Sequence, residues 1–131
     1  MQGAHAGKGE QMAFRFMGSK IVGPRGDSGT LIFCADGETA FTDSDRLVFF
    51  LSRQGSGVVM RRTLRIDGEG CATLSLRSEE TMELEPGAYL WSARYVLDAE
   101  IDESGAVTGG TWVDTPWRNR EFEVQEVNGQ L

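Results

Sequence analysis

One stretch of the chain, residues 84–97 (LEPGAYLWSARYVL), constrains the fold more than any other feature. It opens with a Pro-Gly turn signal, and a strict alternation of side chains follows, as in a strand with one buried face. A face that carries three large aromatic side chains must lie against a hydrophobic core. The residues of that face are Tyr89, Trp91, Ala93, Tyr95 and Leu97. The stretch therefore predicts a protein built from strands and locates part of its core.

The rest of the chain divides into short apolar or alternating runs, separated by turn residues at intervals of about 8–12 positions. Strands are predicted within residues 13–22, 30–35, 47–52, 58–66, 72–76, 87–97, 111–114 and 121–127, with one turn of helix within 78–85. No long amphipathic helix is predicted, so a parallel α/β topology, which needs crossover helices, is excluded. We therefore predict an all-β fold, an antiparallel β-sandwich of about seven or eight strands, with a closed barrel as the alternative.

The length of 131 residues fits one domain. Residues 1–12 are predicted to be a flexible N-terminal tail, and residues 13–131 a single β-sandwich domain. The N-terminus lacks the apolar stretch of a secretory signal peptide, and no apolar run approaches the roughly 20 residues of a membrane span. The sequence thus predicts synthesis in a reducing cytoplasm, with no signal peptide and no membrane partner.

The two cysteines, Cys34 and Cys71, are too few for a disulfide scaffold. Strand parity places Cys71 on the face opposite Leu74 and Leu76, away from the core. A buried bond between two sheets is therefore disfavoured, and free thiols are predicted.

The net charge of −7 disfavours nucleic-acid and anionic membrane partners, because phosphate groups would be repelled. Much of the acidity lies in residues 79–85 and 98–103. Asp98, Glu100 and Asp102 alternate like calcium ligands, but Glu103 and Gly109 stand where an EF-hand loop requires Gly and Glu. A solvated hairpin loop is therefore favoured over a metal site.

Catalytic chemistry finds little support in the sequence. The one histidine, His5, lies in a Gly- and Ala-rich segment with no residue to orient it. No Walker A sequence and no G-x-G-x-x-G fingerprint occurs. We predict no enzyme, no catalytic residue, no cofactor and no metal.

Two groups of residues are candidates for contact with a partner. Trp112 and Trp117, near Arg118 and Arg120, are predicted either to plug the core or an interface, or to stack on sugar rings. Arginines on the wet face of the strand within 58–66 form a small basic stripe, interpreted first as a solvated face or as protection of a sheet edge against stray pairing. In a virion assembly it would instead meet the acidic loop of a neighbouring copy. The candidate contact residues are Arg61, Arg65, Asp98, Glu100, Asp102, Trp112, Trp117, Arg118 and Arg120.

The order of these signals resembles the N-terminal immunoglobulin-like domain of phage baseplate upper proteins. The matching segments are Arg25-Gly26-Asp27-Ser28-Gly29 before a strand, Asp36-Gly37, Asp45-Arg46-Leu47-Val48-Phe49, Leu84-x-Pro86-Gly87-x-Tyr89 with Trp91, and Phe122-Glu123-Val124. The resemblance covers about residues 14–127 and implies an immunoglobulin-like sandwich.

The same resemblance implies a non-enzymatic structural protein of a phage or prophage tail or baseplate, a component of the virion that acts through protein–protein contacts. Its expected partners are other tail or baseplate proteins and further copies of itself as a homo-oligomer. The alternative function is a carbohydrate-binding β-sandwich module that uses Trp112 and Trp117 as a stacking platform.

Overall fold

The computed structural model describes residues 3–6, 13–35 and 40–126 and confirms an all-β protein. In these ranges it has ten strands and one short helix. The strands are β1 (Gly3–Ala6), β2 (Arg15–Met17), β3 (Lys20–Pro24), β4 (Gly29–Cys34), β5 (Arg46–Arg53), β6 (Gly57–Arg65), β7 (Cys71–Leu76), β8 (Gly87–Ile101), β9 (Val107–Val113) and β10 (Arg120–Gln125), and the helix α1 is Ser78–Met82. No helix in the described ranges is long and apolar enough to cross a membrane.

The strands form two sheets that face each other across one core. The small sheet has the order β1-β4-β7, and the large sheet has the order β2-β3-β10-β8-β5-β6, with β9 paired to β8. Strand β3 pairs in parallel with β10, whereas the other strand pairs are antiparallel. The prediction of wholly antiparallel pairing is therefore wrong at this one pair. No hairpin connects β3 to β10, so the chain is free to pair them in either direction.

The long strand β8 has two neighbours on the same side. Residues Gly87–Trp91 pair with β10, and residues from Tyr95 to Ile101 pair with β9. Residues 98–101, which include Asp98 and Glu100, thus continue the strand, although the sequence predicts a loop there. The alternation that identified β8 ends at Leu97, where a bulge begins, so periodicity alone could not extend the strand.

The aromatic face of β8 points into the core as predicted. Tyr89, Trp91 and Tyr95 are 4%, 1% and 5% exposed, respectively. The Trp91 ring meets Phe33 of the small sheet at a centroid distance of 5.5 Å, and its Nε1–H donates to the Ser19 carbonyl at 3.1 Å. This contact joins the two sheets and satisfies the buried indole donor.

The turn before β8 is fixed by a hydrogen bond from its first aromatic residue. The Tyr89 hydroxyl donates to the Glu85 carbonyl at 2.7 Å, and the Arg53 guanidinium lies 5.0 Å from the centre of the Tyr89 ring. Burial raises the pKa of Tyr89 above its usual value. The hydroxyl therefore stays protonated and able to donate throughout the neutral range.

We expect Tyr89→Phe to lower the free energy of unfolding by about 1 kcal/mol, because it removes one hydrogen bond while keeping the buried ring. Urea denaturation followed by fluorescence would measure the change. An unchanged midpoint would show that the hydrogen bond does not stabilise the turn.

Arg62 faces inward on β6, where the sequence offers no reason for a charge. It forms an ion pair with Glu80 of α1, and Glu80 also accepts the backbone N–H of Arg77 at 3.0 Å. The ion pair thus links α1 to β6. Strand parity places Arg62 on the same face as Met60 and Leu64, but only the fold shows its partner.

Cys34 and Cys71 form a disulfide, so the prediction of free thiols is wrong. Parity correctly directs Cys71 away from the core. However, Cys34 lies directly opposite it in the register of β4 and β7, with Cα atoms 4.0 Å apart. The bond joins neighbouring strands within one sheet rather than two sheets, a case that depends on register and is invisible to parity.

The segment predicted as a flexible tail contributes a strand. Gly3–Ala6 form β1, which pairs antiparallel with β4, and His5 lies opposite Ile32. For these four residues, pairing in the small sheet replaces the predicted flexibility. The remaining positions of the predicted tail, 1–2 and 7–12, lie outside the described residues.

Candidate interaction surface

The outer face of the large sheet gathers four arginines and two aromatic side chains. Strand register places them in neighbouring rows, because Arg46 pairs with Arg65 and Phe50 pairs with Arg61. We call this surface the arginine face. It consists of Arg46, Arg61, Arg65, Arg94, Phe50 and Trp112.

Two of the guanidinium groups lie over aromatic rings. Arg61 is 5.0 Å from the centre of the Phe50 ring, and Arg94 is 5.1 Å from the centre of the Trp112 ring. The two rings lie beside each other at 6.1 Å. Each cation–π contact contributes about 0.5–1 kcal/mol at such an exposed position and restrains the orientation of the charged group.

The layer beneath these side chains is apolar. Val48 and Val96 belong to the outer face by parity, yet both are completely buried. Phe50 and Trp112 are only partly buried in the same region. The arginine face is thus a packed, ordered layer rather than a set of isolated solvated side chains.

Few carboxylates accompany these arginines. Arg94 pairs with Asp114 at 3.1 Å, and Arg46 donates to the backbone carbonyls of Asp43 and Asp45. Among the described residues, no ion pair involves Arg61 or Arg65. The face therefore carries excess positive charge on a chain with a net charge of −7.

The acidic residues of the second run lie on a projecting hairpin. We call residues 98–110, the distal part of β8 and β9, the acidic arm; it contains four acidic and no basic residues. Strand β5 follows β8 only as far as Val96, and the backbone of Asp98 and Ala99 then bonds to Asp45 and Ser44. Beyond this point, the two strands of the arm pair only with each other in the described part of the chain.

Within the acidic arm, the candidate residues have different roles. The Asp102 carboxylate accepts the Ser104 hydroxyl at 2.7 Å and the backbone N–H of Ala106 at 3.0 Å, and these bonds lower its pKa. Its stabilisation of the turn is present above the unfolded-state pKa and is lost as the pH falls through the lowered value. Asp98 has a left-handed backbone at the bulge (φ 53°), while Glu100 is exposed.

The contacts of Asp102 are those of a residue that closes a hairpin turn, whereas Asp98 and Glu100 lie in β8. In the part of the chain that the structure describes, no group of three or more His, Cys, Asp or Glu side chains could hold a metal ion.

The two candidate tryptophans lie in different environments. Trp117 is 6% exposed and packs against Phe33 at 5.6 Å, so it belongs to the core. Trp112 lies on the arginine face instead. Arg118 is exposed, and Arg120 donates to the Pro116 carbonyl at 2.8 Å. The fold thus separates Trp112 from Trp117, and the core position that was one predicted alternative is confirmed for Trp117.

An open groove of about 860 Å³ adjoins the arginine face at the β5–β6 turn. It is lined by Arg53, Tyr89 and Leu90 on one side and by Lys20, Glu121 and Glu123 on the other. Leu90 is 44% exposed, and Lys20 pairs with Glu123 at 2.8 Å. The groove extends the partly apolar outer surface toward β10.

Sequence reasoning identified Arg61, Arg65 and Trp112 but missed Phe50, Arg46 and Arg94. Phe50 lies within the continuous apolar run of residues 47–51, so its outward position gives no distinct signal in the sequence. Arg94 lies between two residues of the aromatic face of β8, Ala93 and Tyr95, so parity could have assigned it to the outer face.

Compared with known proteins, the sequence matches no protein-family model and no curated protein.

Proposed function

We propose that this protein is a non-enzymatic structural component of a phage or prophage tail or baseplate that acts through protein–protein contact. The arginine face is the observation that carries the contact role. It combines arginine, tryptophan and phenylalanine on an ordered surface, and arginine and aromatic residues are enriched in protein interfaces. The phage context rests on the sequence resemblance alone.

We further propose an immunoglobulin-like fold. In that fold, strands B and E are neighbours in one sheet, as β4 and β7 are here. Strands C, F and G are neighbours in the other sheet, as β5, β8 and β10 are here. The hydrogen bond from Tyr89 to the Glu85 carbonyl supports the proposal, because a tyrosine near the start of strand F commonly bonds to the backbone just upstream. Fold alone does not determine function, so the contact role is argued separately.

Carbohydrate binding remains the alternative, with a smaller platform than the sequence predicts. Trp117 is buried, so Trp112 would be the stacking residue from that pair. The Arg94 guanidinium already lies over the Trp112 ring. A sugar would have to displace this group or bind at the opposite side of the ring.

Particles purified from cells that carry the gene provide the test. We expect the protein to remain with tail-containing particles through a density gradient, as detected by quantitative mass spectrometry. Arg65→Glu should reduce its amount in the particles at least several-fold, whereas the charge-matched Arg77→Glu, at the exposed N-cap of α1, should not. The Arg65 side chain forms no ion pair within the described residues, so its replacement leaves the known ion pairs of the fold intact.

Absence of the protein from the particles would overturn the structural role. Titration with cell-wall oligosaccharides, followed by NMR of the Trp112 indole signal, would distinguish carbohydrate binding from protein–protein contact. A saturable shift of that signal would favour carbohydrate binding, and an unchanged spectrum would favour the protein–protein role.

A further inference from the structure

We propose that the partner at the arginine face is a second copy of this chain, and that the acidic arm of one copy docks on the arginine face of the next. This inference rests on the proposed protein–protein function and specifies its partner. The face presents four guanidinium groups with one neighbouring carboxylate, that of Asp114. The arm presents four carboxylates and no cation.

The two surfaces do not neutralise each other within one molecule. The ion pairs of the described residues are Lys20–Glu123, Arg62–Glu80, Arg77 with Glu79 and Glu80, and Arg94–Asp114. None of them joins the acidic arm to the arginine face. Complementary charges therefore remain on separate parts of the same surface.

For the tip of the arm, strand geometry explains this separation. Arg65 lies level with Val96, since both residues are paired to Arg46. Glu103 follows at the tip of the hairpin, and a rise of about 3.3 Å per residue places it about 20 Å further along. Two side chains cannot bridge that distance, whereas the arm of a neighbouring copy can approach the face directly.

The arm is also suited to insertion. It projects beyond the end of β5, and among the described residues its strands pair only with each other. Ile101 and Val107 pair across the arm and are partly buried, so they offer apolar area beside the charges. On the receiving face, Phe50 and Trp112 are partly exposed and offer apolar area in return.

A contact between two different surfaces of identical chains is heterologous. Such contacts repeat, and they produce a ring if the rotation closes or a filament if it does not. Because the surfaces are solvent-exposed and oppositely charged, the association should weaken as salt screens them.

A mixing experiment with the full chain tests this arrangement by light scattering. The wild-type protein should show a mass well above the 14.4 kDa of one chain, and this mass should fall as sodium chloride is raised from about 50 mM to 1 M. Arg65→Glu retains an intact arm, and the variant with both Glu100→Gln and Glu103→Gln retains an intact face; the neutral arm of the second variant is not attracted to the reversed face of the first. Each variant alone should be monomeric.

An equimolar mixture of these two variants should form a dimer and nothing larger, because only one productive contact is possible between them. Arg77→Glu, and Glu69→Gln combined with Glu83→Gln, change the same charges at exposed positions outside both surfaces and should retain the wild-type mass. Circular dichroism of each variant would establish that it is folded.

Three outcomes would overturn the inference: a monomeric wild-type protein, variants that assemble like the wild type, or a mixture that remains monomeric. Retention of the protein in particles, together with a monomeric wild type in solution, would reject only self-docking and leave the structural role standing. A wild-type protein that is monomeric in solution and also absent from the particles would reject both proposals.

Discussion

Trp91→Ala is expected to lower the free energy of unfolding by about 3–5 kcal/mol, the range for truncating a large buried aromatic residue. Trp91 is 1% exposed, and its ring lies against Phe16, Phe33 and Phe49. Its removal leaves a cavity between the two sheets and an unsatisfied Ser19 carbonyl. Since small domains are stable by only about 5–15 kcal/mol, much of the protein should be unfolded or insoluble.

Trp112→Ala serves as the matched control, because it removes the same side chain from the arginine face. We expect a loss of about 1 kcal/mol, from one cation–π contact and one aromatic contact. Urea denaturation of both variants would measure the difference. Equal losses would contradict the assignment of Trp91 to the centre of the core.

Reduction of the Cys34–Cys71 bond is expected to lower the free energy of unfolding by about 3–4 kcal/mol, according to the chain-entropy treatment of cross-links. The two cysteines are 37 positions apart, and the bond restricts that loop in the unfolded chain. Urea unfolding with and without dithiothreitol would measure the loss. The double variant Cys34→Ala, Cys71→Ala should be insensitive to dithiothreitol, and equal midpoints for the oxidised and reduced protein would contradict the prediction.

Much of the fold follows from period-two patterns. The alternation of residues 87–97 correctly predicted a buried aromatic face, because a strand with one core side leaves that trace in the sequence. Pairing between distant strands leaves no such trace. The parallel register of β3 with β10 and the opposition of Cys34 to Cys71 both depend on which strands become neighbours.

The candidate site was also only partly predictable, because alternation identifies the outward residues of one strand but not the strands beside it. Parity placed Arg61 and Arg65 on the outer face, but the neighbouring Phe50 and Arg94 come from strands β5 and β8, whose pairing had to be known first. Trp117 was a contact candidate because it lies in a loop-rich segment. It is buried because the loop after β9 folds back over β8, where the Ala93 N–H donates to the Trp117 carbonyl at 2.9 Å.

The parallel pair of β3 and β10 also has a consequence for synthesis. Ile21 pairs with Phe122, about 100 positions later, so the edge formed by β2 and β3 cannot join the large sheet until β10 has left the ribosome. At about 5–20 residues per second, this delay lasts on the order of 5–20 s. Once β8 has emerged, its edge is open to wrong partners until β10 follows, and chaperone capture of nascent chains should concentrate before residue 120.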